Sequence, residues 1–344
     1  MLALLRGHDP NLVELSCGQG SVLIPPSLGG RIFCQYGGEL VHRLDAALMQ
    51  NPSPDGYDNL GGNSLWPAPE GGAFAFNYPP GSSDWHVQDG IAKAAPVVTR
   101  INAGCARVEK RISLLNRKGA RIELDYRRVV SVPDKVRLAG GYALEGMSYH
   151  TEDIFEPRSG HGMDEVLLAP WSLEQFPGAD GIVAFGRVMD GEDALNLDFY
   201  DDPGDRISWR PGCFSFTLGG GARHQIGVKV RSLPQLIGAF DIHRSMVIIR
   251  KTQPQQGVYF NIADNDQPGG PFSAADLYSI FNGGELGFYE LETVGSMCVD
   301  GGRVSLGMLP SQTLVLKGAP SELLRYLLEQ EGVVIDGSAA GVRP

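Results

Sequence analysis

Short runs of alternating apolar and polar residues recur along this chain. In residues 121–127, Ile122, Leu124 and Tyr126 alternate with charged side chains, which predicts a strand with one apolar and one polar face. The same kind of pattern predicts other short strands. They cover residues 225–230, 246–249, 257–262 and 313–316.

Helical periodicity is scarce and is clearest in residues 321–331. Ser321 is the expected N-cap, and four leucines follow at helical spacing, which predicts a short helix with an apolar stripe facing the core. The stripe consists of Leu323, Leu324, Leu327 and Leu328.

Glycine and proline punctuate the chain, with 46 and 23 residues respectively, as short strands joined by turns require. No internal repeat or long linker separates two domains. We therefore expect an all-β fold in which residues 1–344 form a single antiparallel β-sandwich domain. The segments 51–56, 61–72 and 267–271, rich in glycine and proline, are predicted to be loops.

The composition excludes several functions. With 40 acidic and 29 basic residues the net charge is −11, which argues against nucleic acid or an anionic membrane surface as the partner. The five cysteines are scattered without a CxxC pair, so neither a zinc site nor a disulfide framework is predicted. No apolar run has transmembrane length, and the first residues are too short for a signal peptide. We expect a cytoplasmic protein without a metal or cofactor.

Residues 61–72 combine four glycines, two prolines, Trp66 and Glu70. A sugar site needs an apolar face against the C–H surface of the ring and polar groups aimed at its hydroxyls. Trp66 can supply the first, while Glu70 and Asn63 can supply the second. The alternative is a surface turn whose tryptophan caps the core.

A second candidate motif is the acidic segment 288–293. If it forms a strand, Glu290 and Glu292 project to one side, and Tyr289 and Leu291 project to the other. Two adjacent carboxylates repel each other, so the pKa of one should be raised, and such a pair can act as a general base or accept a sugar hydroxyl. The alternative is an edge strand with a solvated acidic face.

His86 is the best candidate for an acid–base imidazole among the seven histidines, because Trp85 and acidic residues surround it. No histidine pair has HExxH spacing, so a helix-borne metal site is not predicted. Motifs of serine nucleophiles and of nucleotide sites are also missing. Trp171, in a second segment with polar neighbours, and Asn261, at the end of a predicted strand, complete the candidates found so far.

The motif GGNSLWPAPEGG at residues 61–72, followed by AFAFNYPPG and Trp85, resembles the signature of an uncharacterised bacterial family related to the galactose mutarotase-like (aldose 1-epimerase) superfamily. Residues 275–284 with the following GFYELET, and more weakly residues 168–176, are similar to later motifs of the same group. Residues 25–32 resemble its early strand, in which a glycine precedes an arginine, here Arg31. The resemblance spans residues 20–318.

The resemblance implies a β-supersandwich with a sugar-sized cleft on a concave sheet. Active members interconvert the anomers of aldoses: a Glu takes the proton of the anomeric hydroxyl, and a His protonates the ring oxygen. Glu290 or Glu292 matches the base, with Glu292 favoured by its Leu-Glu context, and His86 is the nearest acid. The substrate-binding residues expected are Asn63, Trp66, Glu70, Trp85, Trp171, Arg31 and Asn261.

The chain departs from active epimerases at both histidine positions. The early motif containing His-Gly is missing, and the segment around Trp171 occupies the mid-chain place of the second histidine. Three functions therefore stay open. The first is an aldose 1-epimerase-like isomerase acting on a small sugar, and the second is a non-catalytic sugar- or glycan-binding module with the same cleft. A lyase or hydrolase that uses the two carboxylates is a third.

Overall fold

A computed structural model describes residues 1–53, 57–138, 140–189, 191–197, 199–260, 262 and 275–335. The helices in these ranges are short. They are α1 (Leu2–His8), α2 (Ala46–Gln50), α3 (Asp89–Ala92) and α4 (Pro320–Tyr326), which continues as a π-helical turn (Leu327–Glu331). None of the helices in the described ranges is long and apolar enough to cross a membrane. Single 3₁₀ turns occupy Pro26–Leu28, Gly191–Ala194, Gly204–Arg206, Val230–Ser232 and Gly284–Leu286.

Strands make up most of the regular structure and are numbered in chain order. They are β1 (Val13–Cys17), β2 (Gly20–Ile24), β3 (Phe33–Tyr36), β4 (Glu39–Leu40), β5 (Gly62–Ala68), β6 (Val97–Asn102), β7 (Cys105–Leu115), β8 (Arg121–Ser131), β9 (Leu144–Pro157), β10 (His161–Gly162), β11 (Ala169–Pro177), β12 (Val183–Arg187), β13 (Leu195–Asn196), β14 (Ile207–Arg210), β15 (Cys213–Thr217), β16 (His224–Lys229), β17 (Leu236–Asp241), β18 (Met246–Lys251), β19 (Asp276–Asn282), β20 (Phe288–Val294), β21 (Ser296–Asp300) and β22 (Arg303–Gly318).

The strands form three sheets. A twelve-stranded sheet has the order β14-β15-β12-β17-β18-β22-β9-β8-β7-β6, with β10 and β21 also paired to β22. A six-stranded sheet has the order β13-β16-β19-β20-β11-β5, and a smaller sheet has the order β1-β2-β3-β4. Neighbouring strands run antiparallel, for example β11 with both β20 and β5.

The six-stranded sheet packs face to face on the twelve-stranded sheet, because β11 contacts β9 and β22 across the interface. Alternate residues of each strand point into this interface and form the main apolar core, which includes Ile226, Leu291, Ile248 and Val315. The predicted antiparallel β-sandwich is confirmed. Its six-stranded sheet has a second face, directed away from the core, and the candidate site lies there.

Two smaller apolar clusters hold α1, α2 and α4. Leu323 and Leu327 pack on Val247 and Ile249, on the outer face of the twelve-stranded sheet. In the other cluster, Leu5 of α1 packs with residues around the smallest sheet. Both clusters cover sheet faces away from the candidate site.

Three predictions of local structure were wrong. Residues 62–68 form strand β5 rather than a loop, and Pro67 is compatible with a strand there because β5 is the edge of its sheet. In the described part of 257–262, Val258 makes only an isolated bridge to Met297. The N-cap of α4 is Ala319 instead of Ser321, and Leu328 is exposed.

Candidate functional site

A cleft of about 470 Å³ lies on the outer face of the six-stranded sheet. Strands β5, β11, β20, β19 and β16 supply its floor, and segments around Tyr57, Trp85, Tyr200 and Leu286 supply its rim. Its size is in the range of small-molecule sites. The remaining lining residues are Asn59, Ser64, Trp66, Glu70, Trp171, Leu173, Gln175, Arg223, Gln225, Phe281, Phe288, Glu290 and Glu292.

The two-residue period of the strands selects the side chains that face the cleft. On β11, Trp171, Leu173 and Gln175 line it, whereas Ser172 and Glu174 are fully buried on the core side. The strand register places Leu173 directly beside Glu292 and Gln175 directly beside Glu290. The floor is therefore a regular grid of side chains held by backbone pairing on both sides.

Aromatic rings form one end of the cleft. The ring centroid of Trp66 lies 5.5 Å from that of Tyr57, 6.2 Å from that of Trp85 and 6.0 Å from that of Trp171. Trp66 and Trp171 are buried, while Trp85 is 44% exposed, and its Nε1 donates to Glu70 at 2.8 Å. Apolar ring surface and a carboxylate thus meet at this end.

The carboxyl groups of Glu290 and Glu292 lie in the middle of the floor on the same face of β20, and each influences the pKa of the other. Trp171 Nε1 donates to Glu292 Oε2 at 2.9 Å, and Gln175 Nε2 donates to Glu290 Oε1 at 2.6 Å. Gln225 Nε2 lies 3.4 Å from both oxygens of Glu292. Neutral donors therefore surround the pair on the cleft side.

Burial raises the pKa of both carboxyl groups. It raises the pKa of Glu290 to about 7, although hydrogen bonds from Gln175 and Glu292 and the charge of Arg43 act in the opposite direction. The pKa of Glu292 is raised well above its ordinary value by burial and then by the charge of Glu290. Near neutral pH the pair is therefore still partly protonated, unlike an exposed glutamate.

Two arginines support the cleft from outside its lining. Arg43 Nη1 donates to Gln175 Oε1 at 3.2 Å, and Gln175 in turn donates to Glu290. Arg31 donates to Ser64 Oγ at 2.7 Å and to the Tyr57 hydroxyl at 2.8 Å. Both side chains orient residues that line the cleft, and neither lines it itself.

The core side of the same sheet carries a buried ionic network. Arg128 pairs with Asp153 at 2.7 Å and donates to Asn63 Oδ1 at 2.6 Å, while Asn63 Nδ2 donates to Glu174 at 2.6 Å. Burial alone would raise the pKa of Glu174, but the charge of Arg250, followed by His42, lowers it to about 2. This carboxylate is thus ionised and fixed within the core.

The structure brings together six of the ten candidate residues and separates three of them from the cleft. Asn63 faces the core, because it has the opposite parity to Trp66 on β5. Arg31 lies behind the lining. His86 does not line the cleft, and its backbone N–H and C=O bond to Asn77. Asn261 lies outside the described residues. The candidates in the cleft are Trp66, Glu70, Trp85, Trp171, Glu290 and Glu292.

Sequence reasoning missed Gln175, Gln225 and Arg223, which also line the cleft. Gln175 has the parity of Trp171 on one strand, so a strict two-residue period from that tryptophan would have found it. Gln225 and Arg223 have no signal in the sequence. They reach the site because β16 lies two strands from β20 in the sheet.

The fold resembles that of solved β-sandwich proteins. The Slr1438 protein from Synechocystis sp. PCC 6803 shares 12% identity with a TM-score of 0.51, covering 89% of this chain and 94% of that one. A galactose mutarotase-like protein from Lactobacillus casei ATCC 334 shares 9% identity with a TM-score of 0.50, covering 89% and 100%. The architecture is therefore that of the galactose mutarotase-like class.

The sequence itself assigns the chain to a family. Residues 1–300 match the model of a family of unknown function, DUF6786, and the chain belongs to this family. No curated protein matches the sequence.

Proposed function

We propose that the cleft binds a small sugar and that Glu290 and Glu292 interconvert its anomers. The observation that carries this proposal is the buried carboxyl pair in the middle of the cleft floor, whose pKa values are raised by burial. The aromatic end of the cleft, with Trp66 and Trp85, offers apolar surface to a sugar ring. The galactose mutarotase-like fold is in accord with a carbohydrate ligand.

The reaction needs one base and one acid close together. The anomeric hydroxyl and the ring oxygen are bonded to the same carbon, so two adjacent carboxyl groups can reach both. Ionised Glu290 takes the proton of the anomeric hydroxyl while protonated Glu292 gives its proton to the ring oxygen. The C–O bond of the ring then breaks, and an open-chain aldehyde forms.

Closure on the other face of the aldehyde reverses the two proton transfers. The number of protons on the pair is the same before and after, and no other reactant is consumed. The sequence favoured Glu292 as the base and His86 as the acid. The burial of Glu292 and the position of His86 outside the cleft lead us to propose Glu290 as the base and Glu292 as the acid instead.

The same geometry disfavours glycoside hydrolysis. A retaining glycosidase holds its two carboxyl groups about 5 Å apart, and an inverting enzyme holds them farther apart, so that the anomeric carbon or a water fits between them. Here Glu290 and Glu292 project from the same face of one strand, so they do not flank a glycosidic bond from two sides.

A non-catalytic sugar-binding module is the second candidate. The observation in its favour is that none of the described residues lining the cleft is a histidine, whereas the resemblance implies an imidazole acid in active epimerases. In this case Glu290 and Glu292 accept hydrogen bonds from sugar hydroxyls and carry out no chemistry.

Saturation-transfer NMR across a panel of aldoses separates the two candidates. We expect the wild-type protein to accelerate anomer exchange, and both Glu290→Gln and Glu292→Gln to lower the rate by about 10²–10⁴-fold. Glu123→Gln, the same change on an exposed strand face of β8, is the control and should keep the rate. Sugar binding without exchange in the wild type would establish the module. Unchanged exchange in the double Gln variant would refute the role of the pair.

A further inference from the structure

One cationic side chain lines the cleft without a role in the chemistry described above. Arg223, just before β16, has its guanidinium carbon 5.3 Å from the ring centroid of Tyr200, and both residues line the cleft. Within the described part of the chain, Arg223 has no hydrogen bond and no ion pair, and its side chain is exposed to the solvent of the cleft.

The carboxyl pair does not account for this arginine. The cations that act on Glu290 are Arg43 and Arg31, which approach from outside the lining. Glu292 receives its hydrogen bonds from Trp171 and Gln225. Arg223 is thus a charged group that is directed at the cleft and is not used by the protein's own acids.

The sheet register places the pair midway between the two ends of the cleft. β20, which carries Glu290 and Glu292, is two strands from β16 on one side and two strands from β5 on the other. Two interstrand spacings amount to about 10 Å. A sugar with its anomeric carbon at the pair can therefore extend a substituent toward Arg223, on the side opposite Trp66.

The aromatic end does not provide a cage for a cationic ligand. Its rings pack directly on one another, with centroid separations from 5.5 to 6.2 Å, which leaves no room for an ammonium group between them. The rings therefore offer an apolar wall, and among the described residues that line the cleft the positive charge belongs to Arg223.

We propose that the ligand is an acidic sugar whose carboxylate or phosphate pairs with Arg223 while its anomeric carbon lies at Glu290 and Glu292. This inference rests on the proposed function and adds the class of sugar to it. The planar guanidinium is suited to either oxyanion, because it can donate two parallel hydrogen bonds to it. Stacking on Tyr200 holds the guanidinium in place before the ligand binds.

NMR titration with three probes tests the proposal: a hexose, the corresponding hexuronate and the hexose 6-phosphate. We expect one of the acidic sugars to bind about fivefold to tenfold more tightly than the hexose at low salt, and less so at 0.5 M NaCl. A preference for the hexuronate identifies a carboxylate ligand, and a preference for the 6-phosphate identifies a phosphate ligand.

Substitutions of Arg223 test whether this residue causes the preference for an acidic sugar. Arg223→Gln should abolish the advantage of the acidic sugar, so that this variant binds the acidic sugar no more tightly than it binds the hexose, and Arg223→Lys should keep part of the advantage. Arg137→Gln removes the same charge at an exposed position that does not line the cleft, so it should keep the full advantage. Equal affinity for all three probes, or an advantage that survives Arg223→Gln, would overturn this inference.

The failure of this inference is distinguishable from that of the proposed function. If the hexose binds and its anomers exchange, but the acidic sugars have no advantage, only the role of Arg223 is refuted. If none of the three sugars binds and no aldose of the panel exchanges faster, the proposed function fails, and this inference fails with it.

Discussion

The two faces of the six-stranded sheet use buried carboxyl groups in opposite ways. On the core face, Glu174 lies among Arg250, His42 and neutral donors, and its pKa is lowered to about 2. On the cleft face, Glu290 and Glu292 lie beside each other, and burial raises the pKa of both. The difference follows from their partners, because the strands that carry them are direct neighbours.

This contrast separates a structural role from a chemical one. A buried carboxylate whose pKa is lowered to about 2 by a neighbouring arginine does not exchange protons near neutral pH, so Glu174 serves the packing of the two sheets. A pair that is partly protonated near neutral pH is ready both to accept and to donate a proton. The environment of each acid, rather than its burial alone, therefore distinguishes the candidate site from the core network.

The largest expected effect comes from breaking the core network. Glu174→Gln leaves Arg250 as a buried cation without its counter-charge, and we expect the free energy of unfolding to fall by about 3–5 kcal/mol. Urea denaturation followed by circular dichroism measures this, with Glu123→Gln as the exposed control. A loss below about 1 kcal/mol would mean that the core face tolerates a neutral side chain as readily as the surface does.

Glu290, in the cleft, should make the free energy of unfolding depend on pH in the opposite direction to Glu174. Because the folded pKa of Glu290 is raised to about 7, its stabilising contribution is present below its unfolded pKa and is lost as pH rises through about 7. Glu290→Gln removes this loss, so the decrease in the free energy of unfolding between pH 5 and pH 8.5 should be smaller by about 2–3 kcal/mol. Equal pH dependence in both proteins would show that Glu290 ionises normally.

The aromatic end should contribute to ligand binding with little effect on the fold. Trp85 is exposed, so Trp85→Ala should fold normally and weaken sugar binding by about fivefold, which corresponds to about 1 kcal/mol. Trp209→Ala removes a tryptophan that packs on Phe214 and does not line the cleft. NMR titration of the same sugar should show no loss of affinity in this control. Equal losses in both variants would refute the role of the aromatic end in sugar binding.

The smallest expected effect concerns the hydrogen bond between Trp171 and Glu292. This bond lowers the pKa of Glu292, so Trp171→Phe should raise the higher apparent pKa of the pair by up to about one unit. Titration of the carboxyl carbons by ¹³C NMR measures the change. A downward shift would contradict the direction of the bond's effect.

Much of the fold could be predicted from sequence because half-buried strands carry an alternating pattern. Residues 121–127 and 246–249 lie within β8 and β18. Strand β5 could not be recognised in this way, because all of its residues are buried and its glycine and proline resemble a turn. Fully buried strands lack the alternation on which the prediction depends.

The residues of the site could be predicted only where their positions within a single strand determine which face they occupy. The shared face of Glu290 and Glu292 follows from their spacing, whereas the error with Asn63 came from treating a strand as a loop. Arg223 and Gln225 reach the cleft through the order of strands in the sheet. That order depends on pairing between distant segments, and local sequence does not encode it.

The carboxyl carbons of glutamate, labelled with ¹³C and assigned with Glu290→Gln and Glu292→Gln, provide the most direct measurement. We expect the pair to titrate in two steps, one near pH 7 and one at higher pH. In the same spectra Glu174 should remain ionised from pH 5 to pH 9. If Glu290 and Glu292 both titrate near pH 4, as exposed glutamates do, the cleft holds no shared proton and the proposed chemistry is contradicted.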